Sequence, residues 1–343
     1  MKLINTVDAV GATLCHDITR IIKGVEKGPI FKKGHIVTED DIPILLNVGK
    51  DTLYVWEENE NLMHENQAAM VLASLCINDN MSHNEPSEGK IEIKAQCNGL
   101  LKVDNDALKI VNSFGQMMIA TRSGNFPVKS GDKLAGTRII PLVIEKEKMN
   151  KVKELIKSPI LTLKPFTKKK TAIITTGNEV FHGRIEDTFT PVIIEKLSEY
   201  DAEVIDHRVC DDNPQKVTAA ILKAIEKGAE LIICTGGMSV DPDDKTPLAI
   251  KNTGAKVVSY GAPVLPGAMF MLAYYRYGEK TIPILGLPGC VMYAKRTIFD
   301  LMLPRIMADD IITEEEIASL GQGGLCLNCP TCTFPSCGFG KGM

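Results

Sequence analysis

Hydrophobic and polar positions alternate differently on the two sides of residue 170. Before it, short alternating runs such as 52–56 predict strands, and apolar positions at helical spacing predict a helix over 61–77. A polar stretch with Pro and Gly at 78–89 predicts a domain boundary. The first 170 residues therefore predict an α+β domain over 1–88, a small β-rich domain over 89–144, and a connecting helix and linker over 145–170.

Strand and helix patterns alternate regularly from residue 171 to 308. The predicted strands are 171–176, 203–209, 230–234, a strand around 257, and 283–285; the predicted helices are 191–200, 214–227, 246–254 and 291–307. Strands joined by helices favour a parallel sheet with helices on both faces. The predicted fold class is thus α/β, a three-layer parallel-sheet domain preceded by the smaller α+β and β-rich domains.

Composition and charge exclude some classes of protein but do not indicate which reaction the protein catalyses. The chain has 343 residues, of which 44% are hydrophobic and 24% charged, and its formal net charge is −4. A slightly acidic chain offers no basic surface for nucleic acid, and no apolar run is long enough to span a membrane. The first residues lack the apolar core of a signal peptide, so we expect a cytoplasmic protein whose ten cysteines are thiols or metal ligands.

Three glycine loops follow predicted strands. Parallel strands present their carboxyl ends at one edge of a sheet, so we expect these loops to meet there. Glycines allow backbone N–H groups to approach a phosphate, and a following helix adds its positive end. A glycine pair after a strand is more often only a tight turn, but three at one edge predict a phosphate-binding site. The loops are Thr176-Gly177-Asn178-Glu179, Thr235-Gly236-Gly237-Met238-Ser239 and Gly286-Leu287-Pro288-Gly289.

Carboxylates crowd this predicted anion site. Asp241, Asp243 and Asp244 follow the second loop, and Glu179 and Asp187 lie in and after the first. Because carboxylates repel phosphate, a divalent cation such as Mg²⁺, held by one or two of them together with substrate phosphates, would reconcile the two. The alternative is that these residues are solvated caps and turn formers.

The combination and order of the loops resembles the molybdopterin-binding domain of the molybdopterin molybdenumtransferases, over about residues 171–308. The resemblance implies an enzyme that binds adenylylated molybdopterin, releases the nucleotide in a Mg²⁺-dependent step and transfers molybdate to the dithiolene. It implies catalytic or metal-binding roles for Glu179, Asp187 and Asp244. The cofactor-binding residues that it implies are Thr176, Gly177, Asp212, Gly236, Gly237, Ser239, Pro288 and Gly289.

The sequence departs from the transferases at several of these positions. Phe189 stands where they commonly have an amide, and Ala268 stands where they have a lysine that meets phosphate or molybdate. Their C-terminal β-barrel domain is not visible here. Cys290, at a predicted helix N-terminus where a thiol pKa would fall, is a weaker candidate for cofactor contact.

Four cysteines occupy the predicted tail, residues 309–343. They are separated by two, two and four residues, which is close to the spacing of [4Fe–4S] ligands and also compatible with tetrahedral Zn²⁺. Phe334 and Phe339 would shield such a centre. The alternative is a disordered, thiol-rich tail. The predicted ligands are Cys326, Cys329, Cys332 and Cys337.

Three functions therefore stay open. The first is molybdate insertion into molybdopterin, by a homodimer as the resemblance implies. The second is a non-catalytic carrier or maturation factor that delivers the cofactor to a molybdoenzyme. The third is nucleotide pyrophosphatase activity, because Thr235-Gly236-Gly237 with Asp243-Asp244-Lys245-Thr246 also resembles the competence-damage pyrophosphatases.

Overall fold

The computed structural model describes residues 2–22, 26–55, 59–242 and 244–342, and it divides the chain into two compact units. The first, here called the N-terminal unit, comprises Met1–Ala95, Val103–Arg122 and Gly131–Thr162. The second, the C-terminal unit, comprises Gln96–Lys102, Ser123–Ser130 and Leu163–Met343. Both units are discontinuous in sequence, in contrast to the consecutive segments expected above.

Short strands dominate the first 145 residues. They are β1 (Lys2–Asn5), β2 (Ile18–Ile22), β3 (Glu26–Phe31), β4 (Thr52–Val55), β5 (Leu62–His64), β6 (Met81–His83), β7 (Lys90–Ala95), β8 (Gly99–Val103), β9 (Met117–Thr121), β10 (Phe126–Val128), β11 (Lys133–Ile139) and β12 (Val143–Glu145). The helices over 41–155 are α1 (Asp41–Asn47), α2 (Glu65–Cys76), α3 (Asn105–Ser113) and α4 (Lys146–Leu155). The predicted strand 52–56 is β4, and Trp56 lies outside the described residues.

Pairing of distant strands explains why the N-terminal unit is not two consecutive domains. β5 pairs antiparallel with β12, so that Leu62 faces Glu145. The four-stranded sheet β6-β7-β11-β9 lies against α2, whose Ala68, Ala69 and Leu72 are fully buried. Residues on either side of the polar stretch 78–89, which itself contains β6, therefore share one core.

The C-terminal unit contains the remaining elements, which alternate along the chain. Its strands are β13 (Leu161–Pro165), β14 (Lys170–Thr176), β15 (Glu203–Cys210), β16 (Leu231–Thr235), β17 (Lys256–Tyr260), β18 (Met271–Tyr277) and β19 (Lys280–Leu287). Its helices are α5 (Asn178–Phe181), α6 (Phe189–Ser198), α7 (Pro214–Glu226), α8 (Thr246–Asn252), α9 (Ile298–Met307) and α10 (Glu314–Ser319). β13 begins two residues inside the N-terminal unit.

A six-stranded sheet in the order β15-β14-β16-β19-β18-β17 organises this unit. β15, β14, β16 and β19 are parallel, whereas β18 and β17 are antiparallel to their neighbours. Alternate residues of the central strands enter separate cores: Ile173 packs with α6 and α9 on one face, while Ala172 and Ile174 pack with α7 and α8 on the other. The predicted three-layer α/β fold is confirmed, with an antiparallel edge added to the parallel sheet.

The helix predicted over 291–307 begins later than expected. The expected helix over 291–307 is instead a short 3₁₀ helix at Gly289–Met292 followed by α9. A capping box sets the start of α9: the Thr297 hydroxyl accepts from the backbone N–H of Phe299, and the Asp300 carboxylate accepts from the Thr297 N–H. Among the described residues no helix combines the length and apolar character needed to cross a bilayer.

Candidate functional site

A cleft of about 770 Å³ opens at the carboxyl ends of β16 and β19 in the C-terminal unit. Its volume is in the range typical of small-molecule sites. Two of the three predicted glycine loops line it, together with the segment 265–269 and part of the tail. The lining residues are Phe189, Gly236, Gly237, Met238, Ser239, Asp244, Leu265, Pro266, Gly267, Ala268, Met269, Leu287, Pro288, Gly289, Cys290, Met292, Tyr293, Leu325 and Cys326.

The second glycine loop owes its path to Gly236. Gly236 follows β16 directly and has φ +81°, in the left-handed region that disfavours side chains. A Cβ at this position would collide with the backbone carbonyl oxygen of Thr176 and lie 3.0 Å from the Thr176 hydroxyl. The glycine therefore lets the loop after β16 pass directly over the end of β14.

Hydrogen bonds fix this loop to its neighbours. The hydroxyls of Thr176 and Thr246 are 3.0 Å apart, and the Thr246 N–H donates to the Gly237 carbonyl at 3.1 Å. The Tyr260 hydroxyl donates to the Met238 carbonyl at 3.1 Å. Burial, with the nearby charge of Asp244, raises the pKa of Tyr260, so this hydroxyl remains a donor at neutral pH. Thr176, a predicted cofactor-binding residue, therefore helps to hold this loop in place through its hydroxyl.

The charge of the cleft is unusual for an anion site. Asp244 lines it, and none of the lining residues in the part of the chain that the structure describes is Lys or Arg. Ala268, at the position where the transferases have a lysine, is itself in the wall. Asp241 is exposed beside Asp244, and Asp243 lies outside the described residues. Positive charge for a bound phosphate would therefore have to come from backbone N–H groups or from a cation.

Asp187 is part of a hydrogen-bond network beside the cleft. Its carboxylate accepts from the hydroxyls of Thr190 (2.7 Å) and Thr175 (3.1 Å) and from the backbone N–H groups of Phe189 (2.9 Å) and Thr190 (3.0 Å), with His207 at 3.3 Å. Burial alone would raise the pKa of Asp187, but these hydrogen bonds lower it. The carboxylate thus fixes the start of α6, which presents Phe189 to the cleft.

We expect Asp187→Ala to lower the free energy of unfolding by about 2 kcal/mol, because five polar groups lose a charged partner. Urea denaturation at pH 7 measures this change. Asp187→Asn keeps one acceptor oxygen and should lose less. An Asp187→Ala variant as stable as the wild type would show that the network contributes nothing to the start of α6.

The other predicted site residues occupy two different places. Gly236, Gly237, Ser239, Asp244, Pro288 and Gly289 line the cleft. Gly177 follows β14 directly, Glu179 is exposed in the first turn of α5, and Asp212 accepts from the Asn178 N–H at 2.9 Å. These three residues, like Thr176 and Asp187, are not among the described lining residues of the cleft.

The predicted metal ligands do not form a closed coordination sphere. Within the described ranges, no three His, Cys, Asp or Glu side chains lie where they could hold one ion. Mg²⁺ commonly takes only one or two protein carboxylates, with substrate phosphates and water completing its ligands. The donor set of the cleft fits such an ion, with Asp244 as the carboxylate.

The expectation of a lowered pKa for the Cys290 thiol is wrong. Cys290 lies in the 3₁₀ helix Gly289–Met292 and lines the cleft. Burial raises its pKa instead of lowering it, so Cys290 is a neutral thiol at pH 7.

Sequence reasoning missed the part of the cleft wall that the segment 265–269 and the tail form. The Leu265 N–H donates to the Gly324 carbonyl, and the Cys326 N–H donates to the Leu265 carbonyl, both at 2.8 Å. These bonds bring the tail to the edge of the cleft. No local pattern at 265 or 325 signals this contact, because it joins two irregular segments sixty residues apart.

Comparison with known proteins agrees with the fold of the C-terminal unit. Residues 172–308 match a family described as "Probable molybdopterin binding domain", and residues 3–57 match a domain of unknown function. The fold and the match together support a molybdopterin-binding α/β domain over 172–308, and the family model describes this segment alone.

Curated relatives match over a shorter stretch. A CinA-like protein of Mycobacterium tuberculosis (strain ATCC 25177 / H37Ra) is 34% identical over 77 residues, which is 22% of this chain and 18% of the relative. A CinA-like protein of Mycobacterium avium (strain 104) is 32% identical over the same length. The chain thus spans less than a fifth of the length of these relatives.

Solved structures also resemble the domain. The tungsten cofactor synthesizing protein MoaB of Pyrococcus furiosus is 25% identical, with a TM-score of 0.33, over 36% of this chain and 84% of that protein. CinA of Thermoplasma acidophilum is 19% identical, with a TM-score of 0.32, over 40% of this chain and 98% of that protein.

Proposed function

We propose that the cleft binds molybdopterin and that the protein acts in molybdenum cofactor biosynthesis, catalysing Mg²⁺-dependent insertion of molybdate into adenylylated molybdopterin. One observation carries the proposal: a single cleft combines the second and third glycine loops with the Asp244 carboxylate. The match of residues 172–308 supports molybdopterin as the ligand.

The residues of the cleft suggest a division of roles. Gly236 and Gly237 would let backbone N–H groups contact the phosphate of the ligand, and Ser239 would add a hydroxyl. The apolar wall formed by Met269, Leu287 and Met292 would hold the pterin away from water. This arrangement binds and orients an anionic, partly aromatic ligand.

Mg²⁺, bound by Asp244 and phosphate oxygens, would supply the positive charge that the described lining side chains lack. Without the cation, the Asp244 carboxylate would repel the phosphates of an adenylylated ligand. The proposal therefore requires that binding of the nucleotide-bearing ligand depend on Mg²⁺ and that binding of uncharged pterin analogues depend on it much less.

We expect Asp244→Ala to lower the rate of AMP release from adenylylated molybdopterin on the order of 100-fold, because the variant lacks the carboxylate that would hold the cation. Calorimetric titration with molybdopterin and adenylylated molybdopterin, with and without Mg²⁺, separates binding from turnover. Asp241→Ala is the matched control, since Asp241 is exposed in the same loop and is not among the cleft-lining residues.

The outcomes distinguish three functions. AMP release that requires Asp244 supports the transferase, and tight binding without turnover supports a carrier, which Ala268 in place of a lysine favours. If neither molybdopterin nor adenylylated molybdopterin binds, both the transferase and the carrier are excluded. In that case release of AMP from ADP-ribose supports a nucleotide pyrophosphatase, the candidate favoured by the 77-residue similarity to CinA-like proteins.

A homodimer in the cytoplasm is part of the same proposal, because the transferases that the sequence resembles work as dimers. Size-exclusion chromatography with light scattering measures the oligomeric state directly. A monomer at micromolar concentration would contradict this part of the proposal and leave ligand binding unaffected.

A further inference from the structure

A second cavity, of about 410 Å³, lies beside the cleft within the C-terminal unit, and all four tail cysteines line it. Cys326 and Cys337 are half-buried and pack against the core that contains α6 and α9, whereas Cys329 and Cys332 are exposed. The cysteines thus surround one space, with the two outer ones fixed to the core.

The tail is held in place by specific contacts around this cavity. Lys295 donates from Nζ to the Pro330 carbonyl at 2.9 Å, and Cys326 is tied to Leu265 through its backbone N–H. Phe339 is 4% exposed and its ring lies 6.2 Å from that of Phe334, centre to centre. A thiol-rich segment that merely extended into solvent would not have these contacts.

The charge around the cavity suits an anionic group. Arg296 lines the cavity together with Cys332, lies over the Phe334 ring at 5.0 Å and pairs with Asp300 at 2.8 Å. Lys295 also lines the cavity, and its described lining residues include no Asp or Glu. Four thiolates around a metal centre carry a net negative charge, which these two cations would stabilise.

The arrangement favours a cluster over a single ion. Tetrahedral Zn²⁺ requires four sulfurs that converge at about 2.3 Å from one point. The four cysteines line a cavity of about 410 Å³, which has room for a cluster and exceeds the space that one ion needs. Iron–sulfur clusters fill the space between their thiolates with iron and sulfide, and two successive spacings of two residues are typical of their ligands.

We propose that Cys326, Cys329, Cys332 and Cys337 bind a [4Fe–4S] cluster in this cavity. Assembly requires two ferrous ions, two ferric ions and four sulfides from outside the protein, which together give a [4Fe–4S]2+ core, and each S–H bond of the four cysteines is replaced by an Fe–S bond with release of a proton. The exposed loop that carries Cys329 and Cys332 would move inward to complete the ligation.

The cluster would also form a wall of the neighbouring cleft. Pro266, Tyr293, Leu325 and Cys326 line both cavities. Loading of the cluster should therefore order the wall that a ligand contacts, and we infer that the cluster-loaded protein binds molybdopterin more tightly. This second part rests on the proposed function of the cleft, whereas the cluster itself does not.

The test of the cluster is reconstitution of the full chain with equal amounts of ferrous and ferric iron and with sulfide, in the absence of oxygen. We expect about four iron and four sulfide atoms per chain, broad visible absorption, and a paramagnetic signal after reduction. Cys329→Ser and Cys332→Ser should lose most of the iron. Cys97→Ser is the control, because Cys97 is a half-buried thiol of the same unit that does not line the cavity.

Each result decides one part of the proposal. One zinc per chain without iron, or full iron content in Cys329→Ser, would overturn the cluster assignment. Titration of loaded protein and of Cys329→Ser with molybdopterin then tests coupling, for which we expect an affinity difference of about 10-fold. Equal affinities would refute the coupling, and a loaded chain that binds no molybdopterin would refute the function of the cleft while leaving the cluster intact.

Discussion

Gly236→Ala is expected to lower the free energy of unfolding of the C-terminal unit by about 3–5 kcal/mol. We also expect it to weaken the binding of molybdopterin, the proposed ligand, by about 10-fold or more. Two costs add. Alanine is disfavoured at φ +81°, and its Cβ would collide with the backbone oxygen of Thr176. Because that oxygen belongs to the end of β14, it cannot move without disturbing the sheet.

Gly289→Ala is the matched variant for stability. Gly289 lines the same cleft, but an added Cβ would meet no atom within 4 Å. Its unfolding midpoint in urea should lie close to that of the wild type, whereas that of Gly236→Ala should fall. Equal midpoints for the two variants would show that the close approach of Gly236 to Thr176 is not a constraint on the fold.

The residues on either side of Gly236 show what the sequence could predict of this site. An apolar strand followed directly by two glycines, repeated at neighbouring strands, indicates a shared edge because parallel strands end together. This reasoning located Gly236, Gly237, Ser239 and Gly289 in the cleft. It could not show that the first glycine loop has a different role. Thr176, at the end of β14, holds the second glycine loop in place through its contact with Thr246 and is not among the described lining residues of the cleft.

Contacts between distant segments limited the remaining predictions. The pairing of β5 with β12 crosses the predicted boundary at residue 88, and the pairing of Leu265 with Leu325 brings the tail to the cleft. Such pairs leave no periodicity in either segment. The start of α9 is a different case, because the Thr297–Asp300 capping box is present in the sequence, but the apolar residues Val291 and Met292 extended the helical pattern past it.

Asp310 connects strands β8 and β13 with helices α9 and α10 through a buried ionic network. Its carboxylate pairs with Arg305 (2.6 Å), Lys164 (2.7 Å) and Lys102 (3.0 Å), and Arg305 also pairs with Glu316. Asp310 and Arg305 are 6% and 3% exposed. Burial alone would raise the pKa of Asp310, but these cations lower it to about 2.

Asp310→Asn is therefore expected to destabilise the protein by about 3–5 kcal/mol at pH 7, since the Arg305 guanidinium would stay buried without its main partner. The carboxyl has a lower pKa in the folded than in the unfolded protein, so its contribution is complete above about pH 4 and is lost as the pH falls through about 2. The difference between wild type and variant should shrink by about 1 kcal/mol between pH 7 and pH 3. Urea denaturation across this range measures it. Glu315→Gln is a nearby control because Glu315 is an exposed residue of α10, and a pH-independent difference for Asp310→Asn would contradict the lowered pKa.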